Sequence, residues 1–234
     1  ICYIWQIFMR ELFANIARIT DLLPILLFIF FAIKGRKQIN KGYWVIFFYC
    51  CWVALNDIVF FNYVSEKYDK LLFSSFTLIE YAAFTFLLWY NTENKKFQSI
   101  LILLLVAFGL FIIPYYIFAP FKLIDSIPIG IETILVISLS VYALYEQVNN
   151  SVELIYTKPL FWIITGLLIY LAGSFFIYLY ANSVPYEELV KFFHITYVFT
   201  SIKSIFISIA FWMAYNETHR TNTPKSHDYQ PFLN

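Results

Sequence analysis

A chain of 234 residues that is 61% hydrophobic and 13% charged, with mean hydropathy +0.70, lies outside the soluble range of roughly 45–50% apolar and about 25% charged. Its net charge of +1 excludes the basic footprint of a nucleic-acid binder or a steered acidic substrate. Cys2, Cys50 and Cys51 make no disulfide framework, and the adjacent pair reads as small hydrophobes.

Taken from the start, residues 1–18 place Ile4, Trp5, Phe8, Leu12 and Ile16 along one helical side, with Gln6, Arg10 and Glu11 elsewhere. That pattern predicts an interfacial amphipathic segment. Arg10, Glu11 and Arg18, with no small-residue cleavage site, argue against a cleavable signal peptide. The chain opens on Ile1 rather than Met, so the native start is expected upstream.

Seven apolar stretches follow, at about 19–34, 43–63, 70–90, 97–118, 124–146, 160–182 and 190–215. Helices of ~20 residues cross a hydrocarbon core of about 30 Å. The first is the shortest and holds Pro24. The expected fold is an all-α membrane protein, a seven-transmembrane-helix antiparallel bundle over 19–215, because backbone groups in lipid must be bonded within their own helix. Residues 216–234 are expected to form a polar, disordered cytoplasmic tail. The connections are too short for a separate domain. Twenty-seven Phe and nineteen Tyr fit either a ring-packed bundle or an AT-rich coding bias.

The loops at 34–42, 91–96 and 147–159 and the tail carry nine Lys and Arg residues, against six on the opposite side. The positive-inside rule then predicts the N-terminus out and the C-terminus in, with location in the inner (plasma) membrane as a multi-pass protein.

Ionisable residues inside the spans carry the functional signal, since a charge at bilayer depth costs at least about 2.5–3.5 kcal/mol. Glu80 and Lys203 fall near the midplane of the third and seventh spans, Asn56 and Asp57 about one turn outward on the second. Glu132 lies in the outer half of the fifth span and His194 nearer the outer rim of the seventh. All sit at or above the midplane. An outward-facing polar cavity is therefore expected, closed toward the cytoplasm by aromatic packing. Thr196, Thr200 and Lys203 share a helix face, Ser204 flanks it, and His194 points nearly the opposite way. Thr77 adjoins Glu80. For the hydroxyls the plain alternative is a back-bond to the preceding turn or an interhelical hydrogen bond. For Lys203 it is a purely structural ion pair with Glu80 or Asp57, for Glu132 a neutral or capping acid, and for His194 an interfacial histidine.

Lys203 on the seventh helix opposite an acid on the third invites comparison with retinal proteins. LIEYAAF and FWIITGLLIY lack the arginine and the Trp-x-x-Tyr-Pro pattern of the microbial ones, so no retinal, and no other cofactor, is expected. One histidine within the spans cannot build a three-histidine zinc site, and no phosphate loop or H-E-x-x-H is present. No catalytic or metal set is recognisable, so the chain is read as a non-enzyme.

PLFWIITGLLIYLAGSFFIYLYAN at 159–182, FTLIEYAAFTFLLWY at 76–90 and IETILVISLSVYALYE at 131–146 resemble the sixth, third and fifth spans of a group of small seven-helix membrane proteins common in Bacteroidota. That group is similar to the sensor modules of membrane histidine kinases. The resemblance covers most of 19–215 in layout and three short patches in sequence. It implies signalling, and carries over Glu80, Glu132, Trp162, Gly166, Tyr170 and Gly173. The chain has no kinase or response segment, so output would need a membrane or cytoplasmic protein partner besides the lipid bilayer. The expected function is a sensor or receptor-like membrane protein. A structural accessory subunit and a small ion- or proton-coupled transporter are the alternatives.

Overall fold

The computed structural model describes residues 2–35, 39–63, 66–118, 126–150, 154–180 and 186–222, with side chains placed for 11–34, 39–57, 75–118, 126–149, 154–179 and 194–217. Among these residues there are seven α-helices and no strand. They are α1 (Cys2–Gly35), α2 (Lys41–Tyr63), α3 (Glu66–Asn91), α4 (Lys95–Phe118), α5 (Ser126–Asn150), α6 (Pro159–Tyr180) and α7 (Tyr186–Asn222). One 3-10 turn, Ile155–Thr157, precedes α6.

Five helices are long and apolar enough to cross a membrane: α1 from Glu11, α4, α5, α6 and α7 from His194. The chain is a multi-pass helical membrane protein. Helix α1 runs without a break through the segment read as interfacial and the first span, and α7 continues six residues past Asn216. Ile4, Trp5, Phe8 and Arg10 lie outside the described side chains, as do His219 and His227.

Packing closes six helices into a ring. Helix α7 packs on α1, α1 on α2, α2 on α3, α3 on α5, α5 on α6, and α6 back on α7. Helix α4 stands outside, against α3. Only 17% of its apolar window is buried, against 44% for α6 and for α7, the lowest share of the five membrane-crossing helices. Leu103, Val106, Leu110, Ile113 and Ile117 form its exposed face at spacings of three and four. Phe97, Leu101, Phe108 and Ile112 face inward. In lipid an exposed apolar face carries no penalty, so such helices associate through shape and polar contacts.

The α6–α7 seam shows how shape does this. Gly166 and Gly173 lie seven apart on α6, and Phe206 and Phe199 lie seven apart on α7. A Cβ on Gly166 would stand 2.5 Å from the Phe206 Cβ and 3.4 Å from the Lys203 carbonyl oxygen. A Cβ on Gly173 would enter the Phe199 ring. Pairing 166 with 206 and 173 with 199 sets the two helices antiparallel and fixes their register.

Asparagines tie together the end of the bundle where α2 and α4 begin. Asn94 caps α4, accepting from the Lys96 and Phe97 amides at 3.1 and 3.3 Å. Asn40 accepts from the Gly42 amide at 2.9 Å and donates to Asn91 Oδ1 at 3.0 Å. Phe28 stacks on Phe47 at 4.6 Å and meets Phe211 at 4.9 Å, and Phe31 stacks on Tyr215 at 4.5 Å. These rings fill the ring of helices on this side and leave the polar residues to the other.

Candidate functional site

A cavity of about 280 Å³ lies inside the six-helix ring. It draws on the middle of α1 (Arg18, Asp21), the second half of α2 (Asn56, Asp57), α3 at Thr77 and Glu80, and the first turns of α5 (Glu132, Thr133). The second half of α6 adds Tyr170, Ser174 and Tyr178, and α7 adds Thr196, Thr200 and Lys203. No described residue of α4 lines it. The alternation of half-helices puts the site toward the end where α1 and α7 begin.

At its floor is Lys203, 2% exposed. Its Nζ lies 3.3 Å from Glu80 Oε1 and donates to the Tyr49 hydroxyl at 2.5 Å. Tyr49 in turn donates to Glu80 Oε1 at 2.5 Å. The ammonium also sits 3.9 Å from the centroid of the Tyr170 ring and 5.0 Å from that of Tyr49. One carboxylate, one hydroxyl and two ring faces thus replace water around the cation. The pairing expected for Lys203 is made with Glu80. Asp57 instead lies next to Asp21 and within electrostatic range of Arg18.

Hydroxyls along the wall bond their own helices. Thr200 donates to the Thr196 carbonyl at 3.0 Å and Ser174 to that of Tyr170 at 2.7 Å. Such back-bonds consume the proton and leave an oxygen lone pair toward the interior. The Asn56 amide nitrogen is held the same way, by the Trp52 carbonyl at 2.8 Å.

Of the residues singled out from sequence, Asn56, Asp57, Thr77, Glu80, Glu132, Thr200 and Lys203 share this cavity, as does Thr196. Two do not line it. Ser204 is buried and donates to Asp21 Oδ1. His194 is half-buried and stacks on Phe13, with ring centroids 5.9 Å apart. Among the residues carried over by resemblance, Glu80, Glu132 and Tyr170 line the cavity. Gly166 and Gly173 serve the α6–α7 seam, and Trp162 donates its Nε1 to the Tyr156 carbonyl at 2.8 Å near the other end.

Sequence reasoning missed several participants, among them Asp21, Arg18, Tyr49 and Tyr178. Asp21 was legible: it is an ionisable residue within the stretch read as the first span, 19–34, as Glu80 is within the third. Arg18 falls in the segment 1–18 read as interfacial, outside the spans. Tyr49 and Tyr178 had no distinguishing mark among nineteen tyrosines. Among the described residues, no group of three or more His, Cys, Asp and Glu side chains converges as a metal site. No family model, curated protein or solved structure matches the chain.

Proposed function

We propose that this is a receptor-like membrane protein that binds a small polar ligand in its ring cavity and passes the occupancy to a protein partner. The observation that carries the reading is the cavity itself. Six ionisable side chains, Arg18, Asp21, Asp57, Glu80, Glu132 and Lys203, line one space inside a lipid-facing bundle, and side chains so costly at membrane depth mark functional sites by default. A purely structural ion pair would need two of them. With the excess of Lys and Arg in the loops at 34–42, 91–96 and 147–159, the cavity faces outward and the C-terminal end of α7 faces the cytoplasm, in the inner membrane of a bacterial cell. Helix α7 is the natural relay. It carries Lys203 at the cavity floor and runs on to Asn222. The role is binding and signalling, with no catalytic step assigned. A proton- or ion-coupled transporter is the reading that the same four acids would serve next best.

The test is water access. In a background with Cys2, Cys50 and Cys51 replaced by Ala, Thr133→Cys is exposed in intact cells to a small charged thiol reagent. Labelling from outside is expected, together with a reporter fused after Asn216 that is active only in the cytoplasm. A Thr133→Cys protein that is folded but unlabelled from either side would remove the ligand-cavity reading.

A further inference from the structure

The balance of charge and hydrogen bonding around the cavity says what kind of ligand fits. Four lining residues are acids and two are bases. Lys203 is taken by Glu80 at 3.3 Å. The charge of Arg18 acts on Asp57. Asp21 and Glu132 remain, each 3% exposed; the charge of Lys203 reaches both, but its ammonium is bonded to Glu80.

The same two residues carry open oxygens. Glu132 Oε1 and Asp21 Oδ2 are buried and receive no donor, and neither does Asn56 Oδ1. All three are acceptors on the cavity wall. A buried acceptor left unmet costs about 1–3 kcal/mol, more if charged, so a guest bringing N–H donors and positive charge meets the deficit. In the ring order, α1 and α5 stand opposite one another, so Asp21 and Glu132 approach from opposite walls. The remaining lining includes the rings of Phe76 and Tyr178, surfaces that accept a cation or its alkyl chain. Asp21 and Asp57 adjoin, but Glu132 comes from the opposite wall, and no three acids gather as a metal-ligating group among the described residues. That disfavours a compact divalent ion. The volume of about 280 Å³ lies at the lower edge of the ~300–1,000 Å³ of small-molecule pockets.

We propose that the cavity binds a small organic ammonium compound, a short aliphatic amine or diamine, between Glu132 and Asp21 on opposite walls, with Asn56 as a further acceptor. This rests on the ligand-cavity reading above and names its ligand class.

The probes are 1,4-diaminobutane and butylamine, with 1-butanol, butanoate and sodium chloride as neutral, anionic and inorganic controls at matched ionic strength. The protein is the full chain in lipid nanodiscs, and binding is read by calorimetry and by thermal stabilisation. One or both amines are expected to bind saturably, and the controls are not. Glu132→Gln and Asp21→Asn should each weaken amine binding by roughly tenfold or more, the effect of losing a hydrogen bond to a charged partner. Both variants should stay folded, because Gln and Asn keep the size and one accepting oxygen of the parent acids. Glu146→Gln, whose parent carboxylate accepts from Thr92 at the far end, should leave amine binding unchanged. Binding of butanoate or butanol instead of amines would overturn the proposal, as would equal stabilisation by sodium chloride, no response to any probe, or amine binding untouched by both cavity variants. If Thr133→Cys is labelled from outside while the amines fail, the cavity reading stands and only the ligand class falls. An unlabelled Thr133→Cys takes down both.

Discussion

Glu80→Gln removes the one carboxylate found against Lys203 among the described residues and leaves an ammonium that is 2% exposed. Breaking a buried pair from one side costs ~3–5 kcal/mol, because the surviving charge is stranded. The low end, about 3 kcal/mol, is expected here. The new amide oxygen can still accept from Nζ, and the Tyr49 hydroxyl at 2.5 Å and the Tyr170 ring at 3.9 Å stay in place. Lys203→Met strands Glu80 with the Tyr49 hydroxyl as its donor at 2.5 Å and should cost a similar ~3 kcal/mol. The double variant strands nothing and fills the floor with a side chain of similar length, so it should lie within about 1 kcal/mol of the parent. The cycle then yields a coupling of roughly 5–7 kcal/mol, at the upper end of the range measured for close charge pairs. Equilibrium unfolding in mixed micelles, followed by the fluorescence of the six tryptophans, measures all four corners. A coupling under about 0.5 kcal/mol, the level of independent sites, would refute the argument that these two charges are held at the cavity floor by each other.

Tyr49→Phe deletes the hydroxyl that accepts from Lys203 and donates to Glu80, and should cost about 1.5–3 kcal/mol, the worth of hydrogen bonds to charged groups; an unchanged unfolding midpoint would count against the bridge. Gly166→Ala places a Cβ 2.5 Å from that of Phe206 and should destabilise by ~1–3 kcal/mol through overpacking. Gly109→Ala on α4, where an added Cβ meets nothing within 4 Å, should instead stabilise by about 0.5–1 kcal/mol through helix propensity. Equal effects at the two glycines in the same unfolding assay would contradict the tight α6–α7 seam.

Hydropathy and length alone determine the class of this protein. Segments of ~20 apolar residues with few charges have one stable state in lipid, the helix, and the ranges read for α2 through α6 overlap those of the folded chain throughout. Intramembrane charge likewise marks Glu80, Asp57, Glu132 and Lys203 from sequence, because its cost is local and independent of the partner. Partner choice is not local. That Lys203 pairs with Glu80 rather than Asp57, and that Asp21 receives Ser204, depends on how each helix is rotated about its axis. Rotation is set by contacts such as those of Phe206 and Phe199 over Gly166 and Gly173, which join residues tens of positions apart. The exclusion of α4 from the ring follows from the same packing. It is the most apolar of the membrane-crossing helices, with a hydropathy of 2.7, and has no intramembrane charge to bring inside. The cavity, and with it the leftover acids Asp21 and Glu132, exists only once six helices have closed around it.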